Sequence, residues 1–244
     1  IWEFFPHPPT EAVDSGWFNF YSPQFIADQN SDGFMELVVT NGGNHALPAF
    51  DTLREPGYLM VLDALSGSVM AMDTMPDGEE TYCSPIVADF GAGPEVIYGS
   101  GGEDDGGNLY KVKLGQLLLN DISSSQVLAT DPDQGFIAPP SVGDLNFDGT
   151  LDIVAQGYDG TIYAFDGATL GTIWSVPNAG TEASAAPVLG DFTGNFHLDV
   201  FAVLARGSAP SFFDYYQVMI DGATGQIMWK DSISDLHFAS ANAV

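Results

Sequence analysis

The sequence predicts an all-β chain of repeated four-stranded units. Three observations carry this: an acidic nine-residue loop that recurs, a fixed order of short apolar runs around each copy, and no helical period over any window of ten or more residues. The loop is clearest at DLNFDGTLD, residues 144 to 152. Oxygen-bearing side chains stand at loop positions one, three, five and nine, as Asp144, Asn146, Asp148 and Asp152, with Gly149 at six. A hard cation such as calcium takes about six to eight oxygen ligands, and a glycine lets the backbone turn sharply around it. The carbonyl of Thr150 is a further candidate ligand. The same spacing recurs in DQNSDGFME, as Asp28, Asn30, Asp32, Gly33 and Glu36. A weaker copy, DFTGNFHLD, offers Asp191, Thr193, Asn195 and Asp199 and lacks the glycine at six.

The runs around the loops read as strands. A short apolar strand with Ser or Pro near its start leads into each loop: SPQFIAD, SPIVAD, PPSVGD and AAPVLGD. A second strand follows: ELVVT, EVIYG, DIVAQG and DVFAVL. A third ends in Asp and a tight turn, and a fourth carries Trp or Met. β-Branched and aromatic runs bounded by Gly, Asn and Asp are strand signals. Tyr158-Asp159-Gly160-Thr161 predicts a two-residue hairpin, because Asp-Gly tolerates positive φ. The turns at Asp63–Gly67 and Asp221–Gly225 use Asp to accept from forward amides. The second unit keeps the frame, but its loop, DFGAGPE, is two residues short and has lost the middle ligands, so no ion is expected there.

The anchoring aspartates, 28, 89, 144 and 191, are separated by 61, 55 and 47 residues. Periods of this size mean a solenoid, a propeller or an array. Four strands per unit make the blade of a β-propeller. Blades are predicted near 21–72, 83–130, 138–176 and 185–231. Residues 1–5 match the last strand of a preceding blade, and 238–244 match a first strand. The expectation is therefore one propeller domain over 1–244, with partial blades at both ends, cut from a longer polypeptide.

Composition fits a globular chain, with 45% hydrophobic residues. The formal net charge is −28, from 33 acidic and 5 basic residues. Nucleic acid and anionic membrane surfaces need clustered Lys and Arg, so both are poor partners. The acids are 24 Asp and 9 Glu, a bias that suits turns and metal loops; a salt-adapted surface is the other cause. Cys83 is the single cysteine, so no disulfide forms within the segment; it reads as a small buried apolar residue, with a reactive thiol or an intermolecular bridge as alternatives. No Asn-x-Ser/Thr sequon and no apolar run of membrane-helix length occurs, so no direct membrane insertion is expected.

The loop with its flanking strands, as in APPSVGDLNFDGTLDIVAQG and SAAPVLGDFTGNFHLDVFAVL, resembles the FG-GAP/VCBS repeat family of integrin α-subunit propellers and bacterial surface proteins. The unit tails, AFDGATLGTIW and MIDGATGQIMW, resemble the tryptophan-docking motif of pyrroloquinoline-quinone-like propellers. The resemblance implies calcium in the loops at 28–36 and 144–152, held by the side chains named above, with Asp191, Thr193, Asn195 and Asp199 as a weaker set. It also implies that Trp174 and Trp229 wedge between neighbouring blades. Quinone dehydrogenases of that kind use an adjacent cysteine pair, which this chain lacks, so the tails are read as structural and no quinone is expected.

No catalytic constellation is evident. His7, His45, His197 and His237 form no zinc motif, and no Gly-x-Ser-x-Gly elbow occurs. The acidic tip Glu103-Asp104-Asp105 reads as a solvated loop, with an extra cation site as the alternative. Insertions at 43–57, 101–107 and 206–215 all fall between second and third strands and are predicted to gather on one face. That face is the candidate surface for a protein or glycan partner, with Phe212, Phe213, Tyr215 and Tyr216 as possible contacts or as strand-edge packing. The functional expectation is a non-catalytic propeller with structural calcium, serving adhesion, assembly or ligand binding in a secreted or cell-surface protein of bacterial or archaeal type. The alternatives are part of a calcium-dependent polysaccharide lyase or another carbohydrate-active enzyme, and a quinone-like redox or assembly scaffold.

Overall fold

In the computed structural model the predicted runs pair antiparallel in sequence order. The structure describes residues 20–43, 56–209 and 211–233. The predicted partial strands at 1–5 and 238–244, and most of the insertion at 43–57, lie outside these residues. The first sheet joins β1 (Gln24–Ile26), β2 (Glu36–Asn41), β3 (Tyr58–Asp63) and β4 (Val69–Thr74). The second joins β5 (Ile86–Asp89), β6 (Pro94–Gly99), β7 (Gly107–Lys113) and β8 (Gln126–Asp131). The third joins β9 (Ser141–Gly143), β10 (Asp152–Gln156), β11 (Ile162–Phe165) and β12 (Thr172–Val176).

The fourth sheet departs from the expected four strands. Its first strand is split into β13 (Thr181–Glu182) and β14 (Val188–Gly190), both paired to β15 (Asp199–Ser208), followed by β16 (Ser211–Asp221) and β17 (Ile227–Ile233). Pro187 lies in the gap, and proline has no amide to give a ladder. The insertion at 206–215 is also not a loop. It continues the β15–β16 ladder, with Arg206 opposite Asp214 and Ser208 opposite Ser211 across a bulge at Gly207. The 101–107 insertion is a tight turn closed by the Gly102 amide on the Asp105 carbonyl at 2.9 Å.

All four sheets carry a register shift at the same place in the third-to-fourth strand pairing: Val61/Leu62, Leu109/Tyr110, Ala164/Phe165 and Met219/Ile220. One helix occurs among the described residues, α1 (Leu114–Leu117), a single turn after β7. Its Leu114 and Leu117 are buried, and with Ile122 they fill the first core. Four residues are too short to show a helical period in sequence.

Contacts divide the chain into two compact units, Ile1–Val87 with Pro94–Gly135, and Ala88–Gly93 with Phe136–Val244. In the first unit, Val38, Leu59 and Val61 of one sheet pack against Val96, Tyr98, Tyr110 and Val112 of the next. In the second, Val154, Ile162 and Ala164 meet Val200, Ala202, Leu204, Val218 and Ile220. Alternate residues of each strand supply these faces, as period-2 geometry requires. Fully burying one such side chain stabilises the fold by roughly 1.5–3 kcal/mol. The first sheet is apolar on its other face too, where Val39, Met60 and Leu62 pack with Phe20, Leu37, Tyr58 and Met72.

Trp174 locks the third sheet to the fourth. Its indole donates to the Gly222 carbonyl at 2.6 Å, and its ring lies against Gly225, where a Cβ would stand 2.7 Å from the ring. The other docking tryptophan, Trp229, lies on β17, the last described strand, and the first strand predicted for the next blade, 238–244, lies outside the described residues. It remains 43% exposed and meets Phe201 at a 6.1 Å centroid separation.

The second sheet holds a buried ion pair. Lys111 Nζ lies 2.7 Å from Glu95 Oε2, and the side chains are 5% and 9% exposed. Breaking such a pair leaves an uncompensated buried charge, which costs about 3–5 kcal/mol, whereas apolar replacement of both partners is often neutral. Lys111→Met should therefore lower stability by about that much. The double variant Glu95→Leu/Lys111→Met should recover most of the loss in denaturant unfolding; equal stabilities of wild type and the single variant would refute the assignment. Cys83 is 0% exposed, and burial pushes its thiol up to about 12. It should resist a thiol-specific reagent in the native protein and react fully in denaturant.

Candidate metal centres

Each of the three full-length loops joins the first and second strands of its sheet, and each is folded by its own side chains. In the first, Asp28 accepts from the amides of Asn30, Ser31 and Gly33 at 3.2, 2.6 and 2.8 Å. The Asn30 amide oxygen accepts from Asp32, and the Asp32 carboxylate accepts from Phe34. Glu36, 1% exposed, accepts from Gln29 at 2.8 Å. The Gly33 amide, with smaller help from the other loop amides and against some desolvation, holds the Asp28 carboxyl below its ordinary value.

The loop at 144–152 repeats these bonds at the same positions. Gly149 donates to Asp144 at 3.0 Å, Asp148 to Asn146 at 2.9 Å, and Thr150 to Asp148 at 2.7 Å. Asp152, 0% exposed, accepts from Leu145 at 2.8 Å and Gly167 at 3.1 Å. Burial nevertheless pushes the Asp152 carboxyl up, because these amides compensate its charge only in part.

The weaker third copy proves to have the same backbone. Positive φ falls at loop positions four and six in all three: Ser31 and Gly33, Phe147 and Gly149, Gly194 and Phe196. The glycine expected at six has moved to four, and Phe196 holds the left-handed conformation at φ 66. The loop is closed in the same way, with Phe196 donating to Asp191 at 3.0 Å and Thr193 to the buried Asp199 at 3.0 Å.

The loops present all-oxygen donor sets to a hard cation. Asp28, Asp32 and Glu36 each bring a carboxylate oxygen within 4.8 Å of the others, the one such group among the described residues. The evidence in the other two loops is orphaned acceptors: Asp144 Oδ1 and Asp199 Oδ1 are buried with no hydrogen-bond donor. An unsatisfied buried carboxylate oxygen is costly, and a cation satisfies it. The residues in all three loops therefore fit a bound metal ion. Sequence reasoning missed the third-strand aspartates. Asp63 stands opposite Glu36, and Asp221 opposite Asp199. Asn30 donates to Asp63 at 3.0 Å, and Asn146 donates to Asp166 at 3.2 Å. In sequence these residues read only as turn formers, and they do close turns; the signal available was the recurrence of an Asp at the end of the third strand.

The short second loop holds a different arrangement. Asp89 accepts from Gly91 and Gly93 at 2.8 and 3.0 Å, and Glu95, the counterpart of Glu36, is satisfied by Lys111. Of the histidines, His197 packs edge-on against Phe147 at 4.6 Å between two loops; His7, His45 and His237 lie outside the described residues.

Left-handed conformation costs a non-glycine residue roughly 1–2 kcal/mol. Phe196 is 87% exposed, so Phe196→Gly removes that strain with little loss of packing. The variant should be more stable by up to about 1 kcal/mol, after the entropy that glycine adds to the unfolded chain. A chemical-unfolding midpoint below wild type would contradict the loop geometry.

No protein-family profile matches the chain, and no curated protein matches it in sequence. Among solved structures, the exotype rhamnogalacturonan lyase YesX is similar with a TM-score of 0.50 at 16% identity, over 85% of this chain and 38% of that one. The rhamnogalacturonan lyase YesW gives 0.47 at 18% identity, over 85% and 39%. BamB from Moraxella catarrhalis gives 0.41 at 14% identity, over 83% and 62%. The chain thus spans less than two thirds of the length of each of these proteins. At such identities the likeness is one of fold alone, and the fold is the β-propeller, with nearly all-β, four-stranded antiparallel blades.

Proposed function

We propose that this chain is a calcium-stapled propeller segment of a secreted or cell-surface protein, a scaffold for adhesion, assembly or glycan binding rather than a catalyst. The observation that carries the reading is the common backbone of three acidic loops, one gathering the carboxylates of Asp28, Asp32 and Glu36 and the other two each holding a buried carboxylate oxygen without a donor. The resemblance of these loops to FG-GAP/VCBS repeats supports calcium as the ion. Each loop crowds carboxylates at the root of a second strand, where they repel one another without a cation. The ion's role is to hold the turn that sets strand register. A protein or glycan partner on the loop faces fits the exposed aromatic residues there; a nucleic acid does not fit a chain of net charge −28. No helix among the described residues is long and apolar enough to cross a membrane.

The lyase reading requires a basic set free to hold an acidic sugar. The structure does gather Arg206, Tyr216 and Lys230: Lys230 Nζ lies 4.1 Å from the Tyr216 ring centroid, and Arg206 donates to the Tyr216 hydroxyl at 3.1 Å. Arg206, however, is clamped by both oxygens of Asp214, and Lys230 donates to Asn178 at 3.0 Å. These cations are already paired, which favours a cross-sheet clamp over a catalytic set.

The test is calcium titration by calorimetry. Asp28→Ala and Asp144→Ala should each remove one site, and Asp191→Ala should remove a third, weaker one. A ligand bound only to the folded state adds about 2.7 kcal/mol when it is a hundredfold above Kd. Chelation should therefore lower Tm and expose residues 28–36 and 144–152 to protease, while 89–95 stays protected. Unchanged melting on chelation, with loss of a bound partner or an activity, would replace the structural role with a ligand-bridging or catalytic one.

A further inference from the structure

The third strands differ between sheets in one telling way. Asp63 and Asp221 stand directly across from the last loop acids of their sheets, and Asp166 follows Phe165, the partner of Ile153. In the second sheet this position is Lys113, opposite Glu95, and the residue two before it is Lys111. The other sheets carry Val61, Ala164 and Met219 at that earlier place. Two of the chain's 5 basic residues are therefore concentrated at the site where the other sheets place carboxylates.

These lysines line a cleft of about 280 Å³, together with Glu95, Gln116, Ser124 and Gln126. Glu95 is its one acid and is neutralised by Lys111 at 2.7 Å. That leaves the Lys113 ammonium as the net charge of the cleft. The side chains of Lys113, Gln116, Ser124 and Gln126 have no hydrogen-bond or ion-pair partner among the described residues. Gln126 lies across the ladder from Lys111, and Gln116 sits on the helical turn α1, so regular structure positions both. Such polar groups, placed around one concavity, are what fixes the orientation of a bound ligand.

We propose that this cleft binds a small hydroxylated carboxylate. One net positive charge matches a monoanion better than a doubly charged phosphate, whose second charge would find no partner in the cleft. The two amides and the hydroxyl can each donate and accept, which suits neutral hydroxyl groups. A volume just under the roughly 300–1,000 Å³ of sites for drug-sized ligands limits the ligand to about one sugar ring. The site is independent of the metal loops.

The test is titration with glucuronate at low ionic strength, followed by amide chemical shifts with calcium present throughout. Glucose and inorganic phosphate serve as comparators. Glucuronate should bind saturably and shift residues 111–126, glucose should bind far more weakly, and phosphate should not exceed glucuronate. Lys113→Gln, at an exposed position, should keep the melting temperature and weaken glucuronate roughly tenfold or more, the scale of one charge-assisted hydrogen bond. Lys113→Arg should retain binding. No saturable glucuronate binding, equal binding of glucose, tighter binding of phosphate, or an unchanged Kd in Lys113→Gln would each overturn the proposal.

Discussion

A buried carboxylate at the root of the second strand is the constraint on which the rest depends. Glu36, Glu95, Asp152 and Asp199 all occupy this place, and all are nearly or fully buried. A charge removed from water must be compensated by donors, by an opposite charge or by a metal. The chain uses the first two. Loop amides reach back to Glu36, Asp152 and Asp199, and Lys111 serves Glu95. The acid in turn fixes where the loop must close, and hence the register of the first strand against the second. Where the acid's amide partners lie in a nine-residue loop, more carboxylates gather around it. Where the loop is two residues shorter, a lysine stands in.

Sheet packing follows from that anchoring. A one-residue slip would turn every apolar side chain to the wrong face. The recurrent bulge in the third-to-fourth strand pairing acts at the other side of each sheet, changing the local twist before the last strand. In the third sheet this places Trp174 against the Asp221–Gly225 turn of the fourth, where only glycine leaves room for the ring. The same turn sets Asp221 opposite Asp199. One short segment therefore joins inter-sheet packing to the loop's acidic environment, so disturbing the loop disturbs the docking surface of the neighbouring tryptophan.

Much of this was legible in the sequence because it depends on local chemistry. Strand runs bounded by Asp, Gly and Pro correspond to strands of the antiparallel sheets, and the loop spacing marks the side chains that fold each acidic loop. What was not legible depends on partners distant in sequence. A lysine in a strand, such as Lys111, carries no sign that it lies beside Glu95. Asp63 and Asp166 read as turn formers, since their approach to Asn30 and Asn146 appears only once the strands pair. The segment 206–215 reads in sequence as an insertion between second and third strands, yet its aromatic run favours a strand and the β15–β16 hairpin extends into it. The third acidic loop looked degraded because its glycine is displaced; the backbone needs positive φ at two positions, and a glycine at either one leaves the other to a strained residue.

The charge of the chain acquires a physical meaning from these details. Thirty-three acids against five bases would burden any compact fold with self-repulsion. Part of that repulsion is focused in three loops whose carboxylates accept from the loops' own amides. Basic residues are then scarce enough to be placed individually. Arg206 and Lys230 clasp Tyr216 beside two paired acceptors, Asp214 and Asn178, while Lys111 and Lys113 reverse the sign of the field at the one loop too short to use a metal. The same register position thus carries an aspartate in one sheet and a lysine in another, so the local charge changes sign through the side chains of a single strand, without a change in backbone topology.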